Sequence, residues 1–338
     1  MLSTDAGIYR REPAAVVYPK STRDVIRTVE FASARGLPIH CRGAGSGLCG
    51  SAIGAGIVID FTRYMNRLIK IDSDKNYFEC EPGYRFGELE AALGATGLFF
   101  PPDPSSGEFA TFGGMYATNA SGAQSVKYGN VADYILDAKI VLSSGDVFTL
   151  SEILAQPFDR LPGNLKSLYR LYTDQSQKIE AAYPPIRYNS NGYNLRGLVK
   201  NEGLDLARLF AGSEGTLGIV TRLKFKLVQK PTHDSLVVAG FDDIVSSARS
   251  VQKILPMGPS GIEILEKSLL KLVRETDPGL KDKIPGDVDN ILLIEFDGFD
   301  AKACSAQAQE VQQLLKSEGL AATIHMAVSE DEKAKLWH

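Results

Sequence analysis

The run Arg42-Gly43-Ala44-Gly45-Ser46-Gly47-Leu48 places three glycines beside a cation, directly after the apolar stretch 37–41. Glycines without Cβ atoms let several backbone N–H groups converge on one anion. The chemistry this run could do is therefore anion binding. Gly45, Gly47 and Gly50 also satisfy the spacing G-x-G-x-x-G. That fingerprint needs a helix immediately after it. Residues 51–56 instead read as a loop rich in Gly and Ala that runs into another strand. A Rossmann dinucleotide site is not expected, and alone the run could equally be a connector without a ligand.

Other clusters share its character. Pro101-Pro102-Asp103-Pro104-Ser105-Ser106 precedes Thr111-Phe112-Gly113-Gly114-Met115. Then come Thr118-Asn119-Ala120-Ser121-Gly122-Ala123 and Lys127-Tyr128-Gly129. A later cluster reads Gly212-Ser213-Glu214-Gly215-Thr216-Leu217-Gly218-Ile219-Val220. Gly113-Gly114 would let backbone approach something flat or bulky, and the Ser, Thr and Asn side chains offer short-range donors. Several such clusters separated by regular structure argue for one large extended ligand.

Metal and disulfide chemistry are not expected. The four cysteines, Cys41, Cys49, Cys80 and Cys304, show no C-x-x-C spacing, so neither a disulfide framework nor a cysteine-held cluster is indicated. The four histidines, His40, His233, His325 and His338, show no metal-ligand spacing. The catalytic residues are left unassigned.

The ordered series Arg-Gly-Ala-Gly-Ser-Gly-Leu (42–48), Pro-Pro-Asp-Pro-Ser-Ser (101–106), Phe-Gly-Gly-Met (112–115), Asn-Ala-Ser-Gly (119–122) and Gly-Ser-Glu-Gly-Thr-Leu-Gly-Ile-Val (212–220) resembles the FAD-linked oxidase family. This is the vanillyl-alcohol oxidase / p-cresol methylhydroxylase (PCMH) fold, in its glycolate oxidase and D-lactate dehydrogenase branch. The resemblance implies an α+β protein: a two-subdomain PCMH-type FAD-binding domain over 1–230, then a partial ferredoxin-like α+β cap over 231–338. It implies that Arg42, Gly43, Ala44, Gly45, Ser46, Gly47 and Leu48 hold the FAD diphosphate. Pro102, Ser105, Ser106, Thr111, Gly114, Thr118, Asn119, Ser121 and Gly122 would contact diphosphate, ribityl and flavin. Glu214, Gly215, Ile219 and Val220 would line the adenosine or flavin side. Some members attach the flavin through a His beside the first glycine loop. Here that place reads Gly45-Ser46-Gly47, so noncovalent FAD is expected.

The reaction implied is oxidation of a small D-2-hydroxy acid of the D-lactate or glycolate type. Hydride would pass to flavin N5, and electrons would go to an acceptor other than NAD, such as an iron–sulfur domain or subunit. Tyr188 to Arg196 resembles the family segment that faces the flavin, while Arg187 and Arg196 read as surface charge. The start resembles an interior family segment. Leu336-Trp337 resembles one that a substrate-binding Arg normally follows. The chain is therefore expected to be a fragment whose catalytic base and metal ligands lie beyond His338. A different-class alternative is an FAD-binding module that is inactive without a missing cap segment or a partner. The related NADPH-using reductase of wall precursors shares the FAD region, but the 101–106 and 212–218 motifs speak against it.

These residues need a scaffold. Strands are predicted over 16–19, 37–41, 56–60, 77–81, 135–142, 147–150 and 219–228. Helices are predicted after Ser21, over 86–94 and around Met115. From 236 the pattern is strand, helix, strand, short helix, strand, long helix, strand, which resembles a ferredoxin-like layer. The 338 residues carry a net charge of −4 without a dense Lys/Arg run, so nucleic acid is not an expected partner. No run approaches the length of a membrane span, and the first residues lack a signal-peptide core. The expected location is cytoplasmic, peripheral to the inner face of a membrane if a partner holds it there.

Overall fold

The computed structural model describes every residue except 1, 187–188, 201–202, 277–287, 328–332, 334–335 and 337–338. It divides into two compact units, one of residues 1–121 and 130–228, the other of 122–129 and 229–338.

The first unit begins with strands β1 (Ala15–Val17), β2 (Ile39–Arg42) and β3 (Ile57–Asp60), parallel in the order β1-β3-β2. Helix α1 (Thr22–Ser33) joins β1 to β2. Ser21 caps it in an extended conformation, and Asp24 accepts hydrogen bonds from the Lys20 N–H and the Ser21 hydroxyl, both 3.0 Å. Val25, Val29 and Ala32 recur at helical spacing, so one stripe of α1 buries against Ile57 and Ile59.

A five-stranded antiparallel sheet forms the second layer of this unit. Its members are β4 (Leu68–Asp72), β5 (Tyr77–Cys80), β7 (Ile135–Val141), β8 (Val147–Thr149) and β11 (Ile219–Lys226), in the order β4-β5-β11-β7-β8. The two-residue strands are β6 (Leu98–Phe99), β9 (Val199–Lys200), β10 (Gly203–Leu204) and β12 (Val228–Gln229). Alternating burial along β11 gives the sheet one wet and one packed face. Phe225 on the packed face meets Phe78, Phe100 and Phe112 with ring centroids 5.2–5.5 Å apart. This aromatic core anchors α3 (Phe112–Thr118), because Phe112 is that helix's first residue. The remaining helices here are α2 (Leu89–Leu93), α5 (Leu150–Leu154), α6 (Gly163–Ala182) and α7 (Leu206–Phe210).

The second unit contains α4 (Ser125–Tyr128), β13 (His233–Phe241), α8 (Ile244–Ile254), β14 (Gly261–Leu265), α9 (Lys267–Thr276), β15 (Asn290–Gly298), α10 (Ala301–Ser317) and β16 (Thr323–Ala327). The sheet order β14-β15-β13-β16, antiparallel throughout, is the ferredoxin-like order with α9 added. Six consecutive residues of β13, 236–241, are buried because both faces are covered. Val237, Ala239 and Phe241 pack on Ile254 of α8 and on Ala308, Val311 and Leu315 of α10. Leu236 and Val238 pack with Leu270 of α9. Gln124 donates to Glu295 (2.8 Å), Tyr128 donates to Asp297 (2.7 Å), and Lys127 pairs with Asp297. The side chains of Lys127 and Tyr128, grouped in the sequence with the ligand loops, are thus engaged on the cap sheet.

Candidate functional site

Strand β2 ends at Arg42, and the glycine run begins there. Arg42 is buried, and its Nη1 donates to the carbonyls of Thr4 (2.8 Å) and Ala52 (3.4 Å). It props the loop from within. Gly45 has φ +74°, and a Cβ there would overlap the Arg42 guanidinium. A Cβ at Gly43 would overlap Thr111 Oγ1. These two glycines therefore let the loop close onto Arg42 and onto the start of α3.

Thr111 is the N-cap of α3, and its Oγ1 accepts the Gly114 N–H at 3.3 Å. At the other end Asn119 adopts φ +49°, and its Oδ1 accepts the Ala132 N–H (2.9 Å). The turn 212–218 is tied to the same helix. Gly212 N–H donates to Tyr116 O (3.1 Å) and Glu214 N–H to Ala117 O (2.8 Å). Gly113 faces protein rather than open space, since a Cβ there would lie 2.6 Å from Pro82 Cβ.

Together these segments line one cleft. Of the sequence candidates, Arg42, Gly43, Thr111, Gly114, Gly215, Ile219 and Val220 line it. Residues 44–48, Pro102, Ser105, Ser106, Thr118, Asn119, Ser121 and Glu214 are not among its lining residues, and Gly122 falls in the second unit. Leu48 is exposed on its loop, and Glu214 is exposed with φ +51°. Sequence reasoning missed the apolar walls, notably Phe61, Tyr116, Ile140 and Phe210. No local motif marks them; they reach the cleft from separate strands and helices. Arg196 is ion-paired with Glu180 at 3.1 Å. Arg187, Tyr188 and Trp337-His338 lie outside the described residues.

The electrostatics suit an anion with an apolar body. Among the described residues lining the cleft, Arg42 is the one charged side chain, and none is a carboxylate. Burial pushes the Cys41 thiol up to about 12, so this wall residue stays neutral. Burial also holds His40 below its usual range, and its ring packs against Gly54. Nothing lies within 4 Å of a Cβ built on Gly47. The loop thus offers an open face over a cationic prop, with an apolar cleft behind it. That arrangement fits the diphosphate and adenosine of an FAD.

The chain thus pairs a glycine loop after a parallel strand, in a two-sheet unit, with a ferredoxin-like second unit. Residues 13–151 match the FAD binding domain family, and residues 230–338 match the family of FAD linked oxidases, C-terminal domain. The chain belongs to the FAD-linked oxidases, and its cofactor is FAD. It is 32% identical over 286 residues to a D-2-hydroxyglutarate dehydrogenase of Escherichia coli (strain K12), covering 81% of this chain and 28% of that protein. It is 29% identical to the glycolate oxidase subunit GlcD of Bacillus subtilis (strain 168), covering 96% of this chain and 59% of GlcD. A D-lactate dehydrogenase of Anaerostipes hadrus is 27% identical, with coverage of 86% and 53%. The chain therefore spans between 28% and 59% of the length of the curated relatives it matches. A solved alkyldihydroxyacetonephosphate synthase shares the fold, with a TM-score of 0.65, 22% identity, and coverage of 94% of this chain and 53% of that one. Among the described residues no helix is long and apolar enough to cross a membrane.

Proposed function

We propose that this chain holds FAD noncovalently in the cleft between β2, α3 and β11 and serves the oxidation of a D-2-hydroxy acid. The observation that carries this reading is the anion-ready loop over buried Arg42, beside a cleft with no carboxylate among its described lining residues. Backbone N–H groups of residues 43–48, supported by Arg42, bind the diphosphate. Thr111 and Gly114 position the ribityl side, with Pro102, Ser105, Ser106, Thr118, Asn119, Ser121 and Gly122 as further contacts. Glu214, Gly215, Ile219 and Val220 serve the adenosine or flavin side. Phe61, Ile140 and Phe210 exclude water from the cleft. The loop 42–48 holds no histidine, and Cys41, kept as a neutral thiol, is not activated for covalent attachment.

When bound, FAD supplies the two-electron acceptor, with N5 as the site that takes the substrate α-hydrogen as hydride. Relatives named for D-2-hydroxyglutarate, glycolate and D-lactate support a substrate of that class. The electrons then pass to an acceptor other than NAD, an iron–sulfur domain or subunit being the partner of matching chemistry. GlcD is itself named as a subunit. Anaerobic addition of each acid to the FAD-loaded chain tests the reading. Bleaching of the flavin band by at least one acid is expected. A flavin that dithionite bleaches and none of the three acids does would contradict it.

A further inference from the structure

A second cleft in the first unit shares no lining residue with the flavin cleft. It opens to solvent. Met65, Leu68 and Ile69 supply apolar lining, while Lys20, Arg67, Lys139 and Arg222 bring four cations to it. The single carboxylate in the lining is Glu81. Phe61 lines the flavin cleft and Met65 lines this one. Both belong to one buried core cluster, at 4% and 2% exposure, so a hydrophobic wall separates the two spaces.

The charges are arranged unusually. Arg222 on β11 lies directly opposite Lys139 on β7 in the strand register. Like charges across a ladder oppose folding, so the pair needs an offset. Arg222 has one in Glu79, with which it is ion-paired. Arg67 has one in Glu81, which it holds through Nε (3.2 Å) and Nη2 (2.9 Å). Lys139 is half-buried and pairs with no carboxylate among the described residues. From the other wall comes Lys20, whose ammonium sits 5.1 Å from the centre of the Tyr64 ring and likewise pairs with no carboxylate. Arg63 stacks on Tyr18 and Tyr64, 5.3 Å from each ring. Ser21 and Thr22, at the start of α1, complete that wall with hydroxyls. Asp24 already places a carboxylate in the first turn of this helix, so side-chain cations rather than the helix end carry the attraction.

Two lysines without a carboxylate partner among the described residues, two arginines and an apolar patch line one cleft and suit an anionic ligand with an apolar body. We propose that this cleft binds a phosphate-bearing small molecule at a site separate from the flavin. Its anionic group is held by Lys20 and Lys139, its position is fixed beside Arg222 and Arg67, and any apolar body rests on Met65, Leu68 and Ile69. Phosphate, with its high charge and several acceptor oxygens, suits mixed Lys and Arg donors. The source is free polyphosphate or the phosphates of a nucleotide.

The test titrates the FAD-loaded chain with inorganic pyrophosphate and with ADP by calorimetry at low and at moderate salt. Saturable binding of pyrophosphate that weakens as salt rises is expected. The Lys20→Gln, Lys139→Gln double variant should weaken it roughly tenfold or more, with flavin content unchanged and the melting temperature not lowered. Tighter binding of ADP would identify the nucleotide as source, and equal binding would identify free polyphosphate. No saturable binding at low salt would overturn the proposal, as would equal affinity in the double variant. Release of flavin by pyrophosphate would also overturn it, because the anion would then be occupying the glycine loop. Arg222→Gln is a poor probe because it strips Glu79 of its partner, so the lysine variants carry the test.

Discussion

Gly43 and Gly47 sit four residues apart in one loop, yet they meet different surroundings. A Cβ on Gly43 would overlap Thr111 Oγ1, the group that caps α3, whereas a Cβ on Gly47 would meet nothing within 4 Å. Gly43→Ala should therefore cost about 1–3 kcal/mol of stability and weaken FAD roughly tenfold. Gly47→Ala should leave the melting temperature of the flavin-free chain unchanged and weaken FAD alone. Thermal melts together with flavin fluorescence titrations read both. Glu295 offers a second test at this scale. Burial, reinforced by nearby Asp297, raises its carboxyl above the ordinary range despite the hydrogen bonds from Gln124 and Ser260. The folded state thus binds this proton more tightly than the unfolded chain does. Its stabilising effect is complete below about pH 4.5, the unfolded value, and is lost as pH rises through the higher folded value. Glu295→Gln should therefore raise the melting temperature near neutral pH, with the gain shrinking as the pH falls.

Elements were legible in the sequence to the degree that one face of each is buried. Helix α10 shows the favourable case: Cys304, Ala308, Val311 and Leu315 form its buried stripe. Truncating Leu315 to Ala should cost about 2–5 kcal/mol in urea unfolding. Helix α6 shows the opposite. Of its twenty residues only Leu165 and Tyr172 are buried, and Leu171 is 58% exposed. Its inward stripe, Leu165, Leu168, Tyr169, Tyr172 and Ile179, is mostly half-buried and was passed over in the sequence, while Leu171 lies off it, so Leu171→Ala should change stability by less than about 0.5 kcal/mol. The short edge strand β4 escaped notice for a related reason, since its charged and aliphatic residues are mostly half-buried or exposed. In the candidate site the glycines of the 42–48 and 212–218 motifs stood out because backbone conformation and close approach require them. Gly45 and Gly215 take positive φ, and Gly43 admits no Cβ. Phe61, Ile140 and Phe210 carry no such mark, because an apolar residue lining a cleft looks like any other core residue in a linear sequence.

For the molecule as a whole, the two matched families and the two compact units describe one kind of protein: an FAD-binding unit joined to a ferredoxin-like unit. The short segment 122–129 departs from the first unit in its contacts and is bonded instead to Glu295 and Asp297 of the cap sheet. No sequence period signals this, because the bonds join residues about 170 positions apart. The central claim, noncovalent FAD on the glycine loop, is tested most directly by the visible spectrum of the chain after reconstitution with FAD, followed by acid precipitation. The account predicts a protein-bound flavin spectrum and a yellow supernatant over a colourless pellet. A chain that takes up no flavin, or a pellet that keeps its colour, would contradict it.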